Sequence, residues 1–205
     1  MEQNKKTTII FDIGGVLVDW NPRHLYRKMF DGDEAKVDRF LSTVCTFDWN
    51  EKMDAGYPFA KAIEERAAAF PEYEAEIRAY QERWEEMIGG DFPGTVEIVA
   101  ALREQGYPLF LLSNWFVETY PLIYNQFEVL HWFEDVILSG AVKVAKPDPA
   151  IYHATLNRVQ REAEDCLFID DSEKNIRAAS ELGFQTILFT SPEQLRKELS
   201  NKGLI

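Results

Sequence analysis

Five short runs, at residues 7–13, 108–112, 136–138, 167–169 and 186–189, are built almost wholly from Ile, Leu, Val and Phe. Apolar runs without polar alternation suit strands buried on both faces, the condition that crossover helices impose on a parallel sheet. Residues 93–105, 149–159 and 172–182 between them have helical character, as do a segment after Trp115 and the last residues of the chain. Gly106 and Gly183 stand where a helix end takes up the left-handed conformation. Successive strand–helix units of this kind predict an α/β fold, a Rossmann-like three-layer arrangement around an open parallel sheet.

The interval after the first strand has a different character. Residues 22–30, 34–44, 58–70 and 71–88 read as helices. In the last, Tyr73, Ile77, Tyr80, Trp84, Met87 and Ile88 fall three and four apart and make one apolar stripe, which we assign to bundle core. The expected organisation is a core of residues 1–18 and 90–205 with a helical-bundle cap, residues 19–89, inserted after the first strand. Gly89, Gly90 and Pro93 mark the return to the sheet. A length of 205 residues fits one domain with such an insertion.

The net charge of −13 repels phosphate backbones and anionic lipid, so neither a nucleic acid nor a membrane surface is an expected partner. No apolar run approaches the roughly 18 residues that span a bilayer. Before Asp12 only Ile9, Ile10 and Phe11 form an apolar stretch, too short for a signal-peptide core, so a cytoplasmic location is expected. Cys45 and Cys166 are too few and too far apart for a disulfide framework or zinc site, and both read as packed thiols. A monomer is expected.

Ligands of open α/β sheets gather at the carboxyl ends of the strands. Here those ends carry Asp12-Ile13-Gly14-Gly15, Ser113-Asn114, Lys146-Pro147-Asp148 and Asp170-Asp171-Ser172. Asp12 facing a carboxylate pair requires a lysine or a divalent cation between like charges, and hard oxygen donors favour magnesium. An aspartate is ionised at neutral pH and attacks an electrophile without a general base, while Lys146 offsets charge on a phosphoryl oxygen. These groups suit phosphoryl transfer, which depends on positioning and charge neutralisation.

Four motifs, FDIGGVL around Asp12, LLSN ending in Ser113 and Asn114, Lys146 before Pro147, and FIDDSEKNI with Asp170, Asp171 and Asn175, occur in the order found in the haloacid dehalogenase superfamily. The chain resembles subfamily I of those hydrolases, with a helical cap. The resemblance implies Asp12 as nucleophile, and a magnesium ion held by Asp12, the Gly14 carbonyl and Asp171 with Asp170 beside it. It implies that Ser113 and Lys146 bind the phosphoryl group, assisted by the Asn114 amide, and that Asn175 orients the acidic pair. Gly14 and Gly15 leave space for the substrate.

One departure carries information. Most phosphatases of the superfamily have a second aspartate two residues after the nucleophile to protonate the leaving oxygen, and here that position is Gly14. Either the leaving group departs unaided, as from a sugar 1-phosphate or an acyl phosphate, or the reaction is dehalogenation at carbon. A third reading is a binding protein without turnover. The acidic pair Asp170-Asp171 favours a magnesium-dependent phosphatase, since the superfamily's dehalogenases work without metal. The glycine after the nucleophile resembles the α-glucose-1-phosphatase-like branch. Among Asp19, Trp20, Arg23, His24, Phe47, Asp48 and Trp49, taken as hinge or loop positions, Trp20 or Trp49 is a candidate to stack on a sugar. Arg23 is a candidate carboxylate binder and His24 a candidate replacement acid. His131 and His153 read as structural.

Overall fold

The computed structural model describes residues 6–205. Residues 1–5 of the expected core segment 1–18 lie outside the described residues. The core begins with β1 (Thr8–Phe11) and is left through β2 (Val18–Trp20). Five helices follow: α1 (Arg23–Met29), α2 (Glu34–Thr43), α3 (Phe47–Asp54), α4 (Phe59–Ala69) and α5 (Glu74–Glu82). The chain returns through β3 (Ile88–Asp91) into α6 (Pro93–Glu104), β4 (Leu109–Ser113), α7 (Tyr120–Gln126), β5 (Asp135–Leu138) and α8 (Ser139–Val142). It ends with α9 (Pro149–Val159), β6 (Cys166–Asp170), α10 (Glu173–Glu181), β7 (Gln185–Leu188) and α11 (Pro192–Asn201).

The main sheet has five parallel strands in the order β5-β4-β1-β6-β7. The chain moves from β1 to β4 and β5 on one side, then crosses to β6 and β7 on the other, so the switch in direction falls at β1. Every residue of β1, β4 and β6 is buried, which is why these strands read as unbroken apolar runs. Successive side chains point to opposite faces. Ile9, Phe11, Leu111 and Ile169 pack in one cluster with Ile98 and Leu102 of α6 and Leu195 of α11, whereas Ile10, Phe110, Leu112 and Phe168 pack in a second with Ile151 and Tyr152 of α9. The three-layer reading of the sequence is therefore the observed architecture.

The inserted segment differs from its sequence reading in two places. Residues 71–88 do not form one helix: turns of 3-10 helix at Pro71–Tyr73 and Trp84–Met87 flank α5, and Ile88 already belongs to β3. The break lets Trp84 pack edge-on against Trp115, ring centroids 5.6 Å apart, and lets β3 pair antiparallel with β2, Val18 opposite Asp91 and Asp19 opposite Gly90. Gly90 has φ +129°, a conformation that only glycine adopts without strain. Second, residues 47–49 are not a loop but the first turn of α3, capped by the Thr46 hydroxyl, which accepts from the Trp49 amide at 3.2 Å. Trp49 is consequently buried edge-on against Tyr80, centroids 4.9 Å apart, and is not a platform for a sugar. Cys45 and Cys166 are both free and buried.

Removing packed atoms from the sheet should cost far more than removing atoms at the surface. Leu111→Ala is expected to lose about 2–5 kcal/mol, against about 0.5 kcal/mol or less for the part-exposed Leu122→Ala. Urea unfolding, with the denaturant slope unchanged in both variants, measures the difference.

Candidate active site

Strand register assembles the site. Phe11 lies opposite Leu111 of β4 and Ile169 of β6, so the next residue, Asp12, falls level with Leu112 and Asp170. The Asp12 amide donates to the Ile169 carbonyl at 2.9 Å, which fixes the strand end against β6. Past Asp12 the chain turns tightly, with the amides of Leu17 and Val18 both donating to the Ile13 carbonyl at 2.9 Å.

Lys146 is the centre of the arrangement. It is 2% exposed, and its ammonium lies 3.0 Å from Asp12 Oδ2, 2.7 Å from Asp170 Oδ2 and 3.0 Å from the Leu112 carbonyl. An ammonium has three N–H groups, so this one is fully engaged by the ends of β1, β4 and β6. Asn114 holds the lysine's main chain from both sides, its Oδ1 accepting from the Lys146 amide at 2.8 Å and its Nδ2 donating to the Lys146 carbonyl at 3.0 Å. The Asn114 side chain therefore fixes Lys146. Burial alone would drive Lys146 to lose its proton, but Asp12 and Asp170 override it and hold the ammonium above its ordinary value.

Asp12 is 7% exposed. Burial pushes its carboxyl up to about 7; Lys146 and the Ser113 hydroxyl oppose that push, while Asp170 and Asp171 add to it. Asp170 accepts four hydrogen bonds, one from Lys146, one from the Ser172 amide at 2.8 Å and two from Asn175 Nδ2 at 3.0 and 3.2 Å. Asn175 Oδ1 is buried and finds no partner among the described residues. Asp171 differs: it is exposed toward the site, and burial and Asp170 push its carboxyl up. Oxygens of Asp12, Asp170 and Asp171 all lie within 4.8 Å of one another. Gly15, at φ +75°, makes this possible, because a Cβ there would stand 2.2 Å from Asp171 Oδ2.

A cavity of about 370 Å³ opens onto these groups, lined by Asp12, Gly14, Gly15, Ser113, Asn114, Lys146, Asp171 and Asn175 from the core. Trp20 of β2 and the inserted segment's Phe47, Asn50, Glu51, Asp54 and Trp84 close its other side, and Trp115, Phe116 and Lys174 are also in its wall. Lys174 on α10 pairs with Glu51 on α3 at 2.6 Å, a direct tie between core and inserted helices. Five of the expected candidates, Asp19, Arg23, His24, Asp48 and Trp49, are not among the residues lining the cavity. His24 pairs with Asp19 at 2.9 Å beside β3, and Arg23 pairs with Glu34 and Asp38 on α2. Asp48 is exposed and likewise not among the lining residues. Trp84 and Asp54 carry no local sequence signal for the site. The first is absorbed by the apolar stripe read over residues 71–88, and the second lies in a polar stretch.

Residues 6–183 match the haloacid dehalogenase-like hydrolases, and the chain belongs to that family of hydrolases. It is 27% identical over 132 residues to a phosphoglycolate phosphatase of Vibrio cholerae, covering 60% of this chain and 58% of that one. Other curated relatives match at 26–31% identity, and the chain spans 11%, 45% and 76% of their lengths. In fold it resembles a family enzyme of Bacteroides thetaiotaomicron, solved with magnesium and inorganic phosphate, at a TM-score of 0.69 and 22% identity, covering 91% of this chain and 95% of that one. It also resembles L-2-haloacid dehalogenase of Xanthobacter autotrophicus, solved with chloropropionic acid covalently bound, at 0.66 and 17%, covering 98% and 84%. No helix among the described residues is long and apolar enough to cross a membrane.

Lys146→Met should leave Asp12 and Asp170 buried and unpaired, at a cost of about 3–5 kcal/mol. Unpaired buried carboxyls have folded pKa values raised above their unfolded ones, so the deficit should be smallest at acidic pH and grow as pH rises. Urea unfolding of variant and parent at pH 5 and pH 8, with chelator present, measures it. An equal deficit at both pH values would contradict the assigned pairing.

Proposed function

We propose that the chain is a magnesium-dependent phosphatase of a small phosphorylated metabolite, working through an aspartyl-phosphate intermediate. One observation carries this reading: three carboxylates converge within 4.8 Å, and among the described residues the Lys146 ammonium alone pairs with them, at Asp12 and Asp170, which leaves the group short of positive charge. A divalent cation fits that deficit, and the missing Cβ of Gly15 makes the cradle in which Asp171 stands beside the turn. Asp12, the Gly14 carbonyl and Asp171 would hold the ion. Asp170, whose oxygens already accept four hydrogen bonds, positions Lys146 instead. When bound, magnesium supplies neutralisation of charge on the phosphoryl oxygens.

The chain's own groups do the remaining work. An Asp12 oxygen attacks phosphorus, Ser113 and the Gly14–Gly15 turn orient the phosphoryl oxygens, and Lys146 balances the charge that Asp12 shares with its neighbours. We assign residues 19–89 the part of a cap. The Lys174–Glu51 pair and the Trp84–Trp115 contact hold it over the strand ends, where it excludes water and meets the substrate's carbon skeleton with Trp20 and Phe47. The phosphatase among the relatives, and the magnesium and phosphate in the Bacteroides enzyme, support this reading. The apolar walls and Gly14 favour a dehalogenase as the second reading, and the exposed carboxylate of Asp171 beside Asp12 counts against it.

Phosphate release from a panel of sugar 1-phosphates, acyl phosphates and 6-phosphates, with magnesium or chelator, tests the proposal beside halide release from 2-chloropropionate. Magnesium-dependent phosphate release is expected, reduced at least about 1000-fold by Asp12→Asn. Metal-independent halide release without phosphatase activity would establish attack at carbon.

A further inference from the structure

The inserted helices bring a carboxyl group of their own into the cavity. Asp54, at the last turn of α3, is 6% exposed and lines the same space as Asp12 and Ser113. Its Oδ2 accepts from Asn50 Nδ2 at 2.8 Å, and Asn50 Oδ1 accepts in turn from the Tyr80 hydroxyl of α5. Asn50 and Asp54 are one helical turn apart and so share a face of α3. The chain Tyr80–Asn50–Asp54 fixes the carboxyl's orientation. Among the described residues no hydrogen bond reaches its other oxygen, and no basic side chain pairs with it.

The surroundings of Asp54 favour its neutral form. Burial is the largest influence, Glu51 on its own helix and Asp12 at the end of β1 add to it, and Lys146 and the Asn50 amide oppose it; the carboxyl is pushed up to about 8. A carboxyl that keeps its proton at neutral pH, with one oxygen held and the other free, has the form of a general acid. The position two residues after Asp12 offers no such group here. Gly14 bears no side chain, and it lies in ordinary contact distance of the Trp115 ring, 3.5 Å from where a Cβ would stand.

Resting on the phosphatase reading, we propose that Asp54 is the general acid and base of the reaction, supplied from the cap in place of the carboxyl that Gly14 lacks. In the first step Asp12 Oδ forms a bond to phosphorus, the bond from phosphorus to the leaving oxygen breaks, and that oxygen takes the proton of Asp54. The Asp54 carboxylate so formed then accepts a proton from water as the water oxygen attacks the aspartyl phosphate, which frees inorganic phosphate and restores Asp12 and protonated Asp54. The substrate class follows: esters of ordinary alcohols, whose oxygen needs that proton, and not only compounds with a leaving group able to depart unaided.

The test is the burst-phase rate of leaving-group release from p-nitrophenyl, phenyl and n-propyl phosphate, with magnesium, for the parent and Asp54→Asn. The variant should lose about 10²–10⁴-fold on the alkyl ester and less than about tenfold on the p-nitrophenyl ester. Its p-nitrophenol burst should leave a phosphorylated enzyme visible by intact mass, which also shows that the variant is folded. In the parent, release from the alkyl ester should fall as pH rises past about 8, and this limb should be missing in the variant. An equal loss on all three esters, or none, overturns the role of Asp54. Absence of phosphate release by the parent from any ester overturns the phosphatase reading beneath it.

Discussion

The buried contact of Lys146 with Asp12 and Asp170, at 3.0 and 2.7 Å, is the interaction around which the molecule is arranged. Isolated burial of any one of these charges would cost several kcal/mol, and none would remain ionised alone. Together they are tolerable because β1, β4 and β6 end at the same level and the Leu112 carbonyl takes the ammonium's third proton. The apolar packing on both faces of the sheet sets that level. Asn114 then fixes Lys146, and Asn175 and the Ser172 amide fix Asp170.

One positive charge against three carboxylates leaves the site with a deficit that the described residues do not fill. Asp171 is the member of the group without a cationic partner among the described residues, and it stands where a Cβ on Gly15 would clash with it. Such an arrangement is costly unless something divalent binds, and in this reading that cost keeps the site selective for a cation and a phosphoryl group together.

The core of this account was legible in the sequence. Strands buried on both faces announce themselves as apolar runs, and the polar residues that end them are the ones the register brings together. The inserted segment was less so. The β2–β3 ribbon contains Asp19, Gly89 and Gly90, residues poor in intrinsic strand preference, so its pairing rests on tertiary geometry. The helical stripe through Tyr80 and Trp84 has no Gly or Pro to stop it, yet the chain leaves the helix before Trp84, which packs on Trp115. The Thr46 cap of α3 was visible in principle, but nothing local places Asp54 in a cavity. Its burial comes from helices and strand ends distant in sequence.

The most direct test of the central claim is calorimetric titration of magnesium into the parent chain and into Asp171→Asn at neutral pH. One ion should bind the parent, with affinity reduced at least about tenfold in the variant, the loss of one charged ligand being worth about 1.4 kcal/mol or more. No binding by the parent, or equal binding by both, would contradict a cation site built on Asp12 and Asp171.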